Sequence, residues 1–362
     1  MKPDISNDKL RICILSQYPP QTGGIAVHTR MLAEGLAEKG DIVSVITYGK
    51  SGRVGRSGLN VYETGGPDVF FLRGLCFSIS AMMKLSGMIA RGEIDIVHAH
   101  PIYPAGLAAL AARKLARRNV PVVMTSHGSD LMKYTSAPVL GCVVRKIAKS
   151  ADALICVSDF IRNRALEMGI SRSCTVRNGI EAAELPKRAK GGNGKTVTFV
   201  GALIPQKGPD IFIGAAREVL KELPDTKFIV IGDGPMRKRL EKSAPESMEF
   251  MGRISRKKSL AMVASSDILA VTSRSEGFGM AALEALVMGT PVAALPAGAL
   301  AEVLPKEFLA SNVAPAIISE LKTGRLSMLA KRTGPRLAER FSVSKMVRGT
   351  KNVYMGVLNE KN

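Results

Sequence analysis

The chain has 362 residues, of which 46% are hydrophobic and 23% charged, and its formal net charge is +20. That length exceeds the ~250–300 residues at which a single core stops growing, so two domains of a globular protein are expected. Tryptophan is absent and aromatics make up 5%, which disfavours a base-stacking surface. With no helix-turn-helix, zinc-finger or RNP signature either, nucleic acid is not an expected partner.

Met1–Asp8 is polar and lacks an apolar h-region, so no secretory signal is expected. The best membrane-spanning candidate, Leu75–Ala90, contains Lys84 and is too short to cross. Five scattered cysteines form no C-x-x-C and read as reduced thiols, which predicts a cytoplasmic setting. Positive charge gathers at Arg113–Arg118, Arg145–Lys149, Lys187–Lys195, Arg237–Lys242 and Arg253–Lys258. Solvated helix faces are the plain reading of such runs. The functional reading is peripheral attachment to an anionic membrane surface at its inner face.

Arg11–Ser16 reads as a first strand, Ala26–Lys39 as a helix and Asp41–Thr47 as a second strand. This βαβ opening predicts a parallel sheet. Gly23-Gly24 opens the helix, but no G-x-G-x-x-G dinucleotide fingerprint occurs. Lys50–Gly66 is Gly-rich and basic and reads as a mobile surface loop. Phe70–Ala90 has helical spacing, with Met82, Met83 and Met88 in the core or facing a lipid or acceptor. Ile94–His100 is a strand ending in H-x-H. Both imidazoles of such a pair face one way, yet with 4 histidines in all and no carboxylate cluster beside them, no metal site is expected. Strand Val120–Thr125 leads into Ser126-His127-Gly128-Ser129-Asp130, at a strand carboxyl end where ligands of open α/β sheets gather. Strand Ala153–Val157, helix Asp159–Met168 and strand Cys174–Arg177 follow, and Leu185–Lys195 reads as a linker.

The alternation then restarts with strand Thr196–Val200, a helix to Leu220 and strand Lys227–Ile231. Gly232-Asp233-Gly234-Pro235 marks a loop-to-helix transition. The buried strand Ile268–Val271 runs into Thr272–Gly279 and then a helix, Met280–Met288. Small residues at this corner let backbone amides approach a ligand, and the helix start favours an anion such as phosphate. Glu276 and Glu284 bracket the corner. Carboxylates there repel a phosphate unless they hold hydroxyl-rich groups, so the corner predicts a sugar and a ribose joined by a phosphate bridge.

The E-x7-E pattern of Glu276 and Glu284, with Gly277-Phe278-Gly279-Met280 inside it, resembles the donor site of the family 4 retaining glycosyltransferases. The resemblance covers nearly the whole chain and is strongest over 201–302. It implies the GT-B fold, in which two Rossmann-like α/β domains face each other across a cleft. Those domains would be 1–184 and 185–340, with a C-terminal helix over 341–362 returning to the first. It also implies a UDP- or GDP-sugar on the second domain and the hydroxyl of a glycan or lipid-linked acceptor on the first. In that resemblance Glu276 faces the transferred sugar and Glu284 holds the ribose. Lys207, in Lys207-Gly208, neutralises the diphosphate together with amides near Gly279 and Met280. Glu249–Ile254, with Arg253 and Ile254, resembles the loop at the base, and Gly23 and Gly24 resemble the loop under the sugar and phosphate. His127, in an H-G-x-D block, would lie near the anomeric carbon. Asp130 would orient it or contact the acceptor, and His100 would lie beside the cleft. His127, Lys207 and Glu276 are thus the expected catalytic residues, with no metal and no cofactor beyond the nucleotide sugar. Ala202 departs from the pattern, because an arginine usually stands there, so either another cation, Arg253 or Arg274, compensates or the enzyme is slow or differently tuned. The rival readings are a nucleotide-sugar epimerase or hydrolase of the same architecture, and a weakly active or non-catalytic nucleotide-sugar-binding subunit.

Overall fold

The computed structural model describes residues 9–21, 23–49, 58–64, 73–133, 138–188 and 195–361. The chain divides into two compact units, Met1–Gly179 with Val343–Asn362, and Ile180–Ser342.

The first unit holds a seven-stranded sheet of β1 (Arg11–Leu15), β2 (Ile42–Tyr48), β3 (Leu59–Thr64), β4 (Ile96–Ala99), β5 (Val122–Ser126), β6 (Ala153–Cys156) and β7 (Ser173–Thr175). The order is β3-β2-β1-β4-β5-β6-β7, and every pairing is parallel. The second unit holds β8 (Thr196–Val200), β9 (Lys227–Ile231), β10 (Met248–Gly252), β11 (Ile268–Val271) and β12 (Val292–Ala294), in the order β10-β9-β8-β11-β12. These pairings are parallel too. The sequence explains the class: strands such as Ile268-Leu269-Ala270-Val271 are apolar at successive positions and buried throughout. Strands covered by helices on both faces read that way. Both sheets reverse their winding once, between β1 and β4 and between β8 and β11. Those two switch points are where loops diverge and leave a crevice at the carboxyl edge of a sheet.

The region 50–66 is corrected in part. Leu59–Thr64 is an ordered edge strand paired with β2, while 50–57 and 65–66 lie outside the described residues. Residues 1–8 and 189–194 of the linker also lie outside them. The methionines of the Arg73–Ala90 helix divide: Met88 is core, Met82 packs against the core, and Met83 is exposed. Several basic runs are solvated and paired. Arg113 bonds Asp152 and Arg237 bonds Glu241, each at 2.7 Å.

The helix Val343–Asn359 belongs to the first unit. Its Met346, Val347, Tyr354 and Val357 join one core with Met31, Leu32 and Leu36 of the helix Gly24–Glu38. Lys351 donates to both oxygens of the buried Asp41 at 2.8 and 3.0 Å. Asp41 also accepts from the Leu10 amide at 3.2 Å, which ties the C-terminal helix to the start of β1. Helices of the second unit that the sequence reading does not assign include Arg256–Ser265, Val313–Thr323 and Arg325–Arg340.

Candidate active site

At the β1/β4 switch point of the first unit, Gly23 caps the helix Gly24–Glu38 with φ 135°. A Cβ added at Gly23 or Gly24 would meet nothing within 4 Å. The helix N-terminus is therefore open, and its unpaired amides suit an anion.

Four imidazoles converge at the same edge. His98 lies in β4 and is fully committed: Nδ1 pairs with the Tyr354 hydroxyl at 2.6 Å and Nε2 with Thr125 Oγ1 at 2.7 Å. It is a core residue that fixes the C-terminal helix to the sheet. The H-x-H motif thus does not act as a pair of ligands. His100 instead turns to His127, with Nδ1 and Nε2 3.1 Å apart. His28, on the helix after β1, completes the group, with ring centroids 4.7 Å from His127 and 5.3 Å from His100. The sequence reading missed His28. The available signal was its place about one turn after Gly24, on a helix that opens at a strand's carboxyl end.

Burial, which penalises the imidazolium, sets the charge of this group. It lowers His28 to about 4 and His98 to about 3. The same cause, with the neighbouring imidazoles, brings His100 and His127 well below the ordinary range. The cluster is neutral at physiological pH. Asp130 is buried and accepts from Ser126 Oγ at 2.6 Å and from the amides of Ile102 and Leu131 at 3.2 Å. Burial raises its pKa. These bonds tie the loop after β4 to the loop after β5, so Asp130 positions the segments that carry His100 and His127.

In the second unit the loops after β8 and β11 flank the other switch point. Lys207 Nζ donates to Glu276 Oε1 at 2.7 Å, and Ser273 Oγ donates to the same oxygen at 2.8 Å. The Glu276 side chain is 12% exposed and that of Lys207 30%. The approach of the loops depends on Gly208. It has φ 61°, and a Cβ there would lie 2.0 Å from the Thr272 carbonyl oxygen. Thr272 Oγ1 in turn donates to the Gly208 carbonyl at 2.8 Å. Gly279 caps the helix Met280–Met288 in the left-handed region, φ 90°, which leaves the first amides of that helix without side-chain caps. Phe278 is buried edge-on to Phe341, with centroids 5.5 Å apart, so its ring is packing that holds the corner.

Glu284 lies in that helix and is buried, with Oε1 accepting from Arg256 at 2.7 Å. Burial raises its pKa, while the charge and hydrogen bond of Arg256 work against that rise. Sequence reasoning did not single out Arg256. Its signal was position: it is the first residue of a helix capped by Ser255, inside the basic run after β10. Arg253 and Ile254 follow β10 at the same edge, Arg253 exposed and Ile254 partly buried. Arg274 is already held by both oxygens of Asp210, at 2.9 and 2.5 Å, and by the Pro205 carbonyl at 2.8 Å. It braces the Lys207 loop and is not free to stand in at Ala202, which corrects that half of the expectation.

Two parallel α/β units, each with polar side chains at its switch point, define a protein with two Rossmann-like domains of the GT-B class. The comparisons with known proteins agree. The model for Glycosyltransferase Family 4 matches residues 22–184, and that for Glycosyl transferases group 1 matches residues 181–330. An uncharacterized glycosyltransferase of Methanocaldococcus jannaschii is 28% identical over 358 residues, covering 95% of this chain and 98% of its own. The phosphatidyl-myo-inositol mannosyltransferase of Propionibacterium freudenreichii is 28% identical, over 82% of this chain and 79% of its own. Among solved structures, the sucrose-phosphate synthase of Thermosynechococcus elongatus superposes with a TM-score of 0.81 at 19% identity, covering 97% of this chain and 100% of its own. Anabaena HepE in complex with UDP-glucose gives 0.76 at 19%, over 95% and 99%. The chain belongs to the family 4 glycosyltransferases of GT-B type, and it is a hexosyltransferase.

Proposed function

We propose that this enzyme transfers a hexosyl group, with retention at the anomeric carbon, from a UDP- or GDP-sugar to the hydroxyl of a glycan or lipid-linked acceptor. The observation that carries the reading is the Lys207–Glu276 pair at the β8/β11 switch point, beside the buried Glu284. Lys207 and the amides of Gly279 and Met280 receive the diphosphate, Glu276 takes sugar hydroxyls, and Glu284 takes ribose hydroxyls. The first unit contributes His127 near the anomeric carbon of the transferred sugar, with Asp130 and His100 on the acceptor side. In the step itself the bond from C1 to the phosphate oxygen breaks and the bond from C1 to the acceptor oxygen forms on the same face. The acceptor's proton passes to the leaving phosphate. Positive charge at the leaving group comes from the protein, so the step needs no divalent cation; this is electrostatic stabilisation of charge that develops on departure. With Arg274 engaged elsewhere, Arg253 is the second cation at the nucleotide end, and no carboxylate is paired with it among the described residues.

A lipid-linked acceptor is favoured by the net charge of +20 and by exposed Ile79 and Met83 on the helix Arg73–Ala90. No described helix is long and apolar enough to cross a membrane, so attachment would be peripheral. The deciding experiment is a panel of nucleotide sugars read as released nucleotide, with and without acceptor and with and without chelator. Nucleotide release that requires acceptor and survives chelation is expected. Release or epimerisation independent of acceptor would overturn the reading. Sedimentation with anionic liposomes at low and high salt tests attachment, and no binding at either would remove it.

A further inference from the structure

His28, His100 and His127 come from three separate segments, yet one ring nitrogen of each lies within 4.8 Å of the other two. One of these rings carries a nitrogen that is buried and unpartnered, Nε2 of His100, while His28 interacts with the side chain of Asn178. A buried polar atom left unpaired costs roughly 1–3 kcal/mol. Such an atom within a cluster of three imidazoles points to a ligand that takes lone pairs. Imidazole coordinates a metal through a ring lone pair.

We infer that His28, His100 and His127 form a binding site for a borderline divalent cation of the Zn2+ class. Imidazole nitrogen suits that class, and three histidines leave the fourth tetrahedral position open. Metal–nitrogen bonds of about 2.0–2.1 Å place ligand nitrogens about 3.3 Å apart in a tetrahedron. Nδ1 of His100 and Nε2 of His127 already stand at 3.1 Å as a hydrogen-bonded pair, so a metal bound between them displaces the shared proton, and the His100 ring must turn for its unpartnered Nε2 to take part. His98 is excluded as a ligand because both of its nitrogens are bonded to protein, and it lies against His100 with centroids 4.1 Å apart. The fixed ring limits how far His100 can swing. No carboxylate belongs to the cluster, so the bound ion keeps its full charge and draws an anion or hydroxide to the open position.

Occupancy has a consequence that rests on the transferase reading. His127 is there assigned to the reacting sugar, so the metal inhibits transfer instead of supporting it. The test begins without substrate. Metal-free protein is titrated with Co2+ and followed by visible absorption, and Zn2+ binding is measured by equilibrium dialysis. One equivalent of Co2+ with a tetrahedral spectrum, displaced by Zn2+, is expected. His28→Gln and His100→Gln, each checked for folding by circular dichroism, should weaken binding at least tenfold, since loss of an outer-shell partner alone costs about 10–100-fold. Less than one equivalent, or binding unchanged in both folded variants, would overturn the site. The second arm adds Zn2+ and then chelator to the transfer assay. Reversible inhibition is expected, whereas stoichiometric binding without inhibition would retain the metal site and remove His127 from the sugar.

Discussion

Replacing Lys207 by Met removes the ammonium and keeps the length of the side chain. Two effects follow, and they differ in size. The first is structural: Lys207 and Glu276 are in contact at 2.7 Å, and charges about 4 Å apart attract by ~4 kcal/mol at an effective dielectric near 20. Lys207 is 30% exposed, so solvent screening and desolvation reduce the net coupling to about 1–2 kcal/mol. The second is catalytic: one lost donor at developing charge costs about 10²–10³ in kcat, or ~2.7–4 kcal/mol. A double-mutant cycle with Glu276→Gln separates them. Urea midpoints report the coupling in the free protein, and released nucleotide under saturating donor reports kcat. If Lys207 acts on the diphosphate, Lys207→Met slows turnover by at least ~10² while the stability cycle closes with only the small coupling. A loss of kcat under tenfold, about 1.4 kcal/mol, would refute the assignment of Lys207. A catalytic loss that vanishes in the Glu276→Gln background would show that the lysine serves only to hold the glutamate.

Arg256→Gln removes the group that opposes the upward shift of Glu284. The donor KM should rise, and the pH below which donor binding weakens should move upward; unchanged KM across pH would separate Glu284 from the ribose. Glu284 has a raised folded pKa, so its contribution to stability is present at low pH and is lost as pH rises through that pKa. Arg256→Gln should therefore cost about 1–2 kcal/mol at neutral pH, below the 3–5 of a fully buried pair because Arg256 is half exposed. Ala202→Arg should preserve or raise kcat by restoring a cation at the nucleotide end, and a severe loss in a folded variant would show that the small residue is required there. His28 sits at about 4 against an ordinary 6.5, so its share of stability is full above 6.5 and is lost as pH falls toward 4. His28→Gln should flatten the slope of unfolding free energy in that window by about 1.4 kcal/mol per pH unit; equal slopes in both proteins would refute a neutral buried imidazole.

The strand–loop–helix corner after β11 was legible because its signals are local. An apolar run, two glycines and a helix former stand in sequence within Ile268–Met288, and each has a structural meaning without its neighbours. The β3 strand was hidden for the opposite reason. Leu59–Thr64 is an edge strand with only Leu59 and Thr64 buried, and it follows a Gly-rich basic stretch whose composition spoke louder than the short alternation. Helix Arg325–Arg340 carries Pro335 in its interior, which argues for a break that tertiary packing overrides. The ion pairs of the site are non-local. Arg256 and Glu284 are 28 positions apart and Lys207 and Glu276 are 69 apart, and no periodicity in one segment reports which side chain arrives from another. The same holds for His28, which shares no motif with His100 or His127 and meets them because the β1/β4 switch point brings their loops together.

Charge is divided between the units in a way that suits the proposed chemistry. The second unit collects paired basic and acidic side chains, Lys207 with Glu276 and Arg256 with Glu284, where a diphosphate and its hydroxyl-bearing ends would be held. The first unit collects imidazoles that burial keeps neutral. Glycosyl transfer passes through a transition state with oxocarbenium character, positive at the anomeric carbon. An imidazolium beside that carbon would oppose it, whereas a neutral ring can accept or donate a hydrogen bond without adding charge. If His127 stands beside that carbon as proposed, the desolvation that lowers its pKa would serve the reaction as well as follow from the packing. It also leaves a ring lone pair available, so a site tuned to avoid a proton near the sugar is exposed to capture by a metal cation.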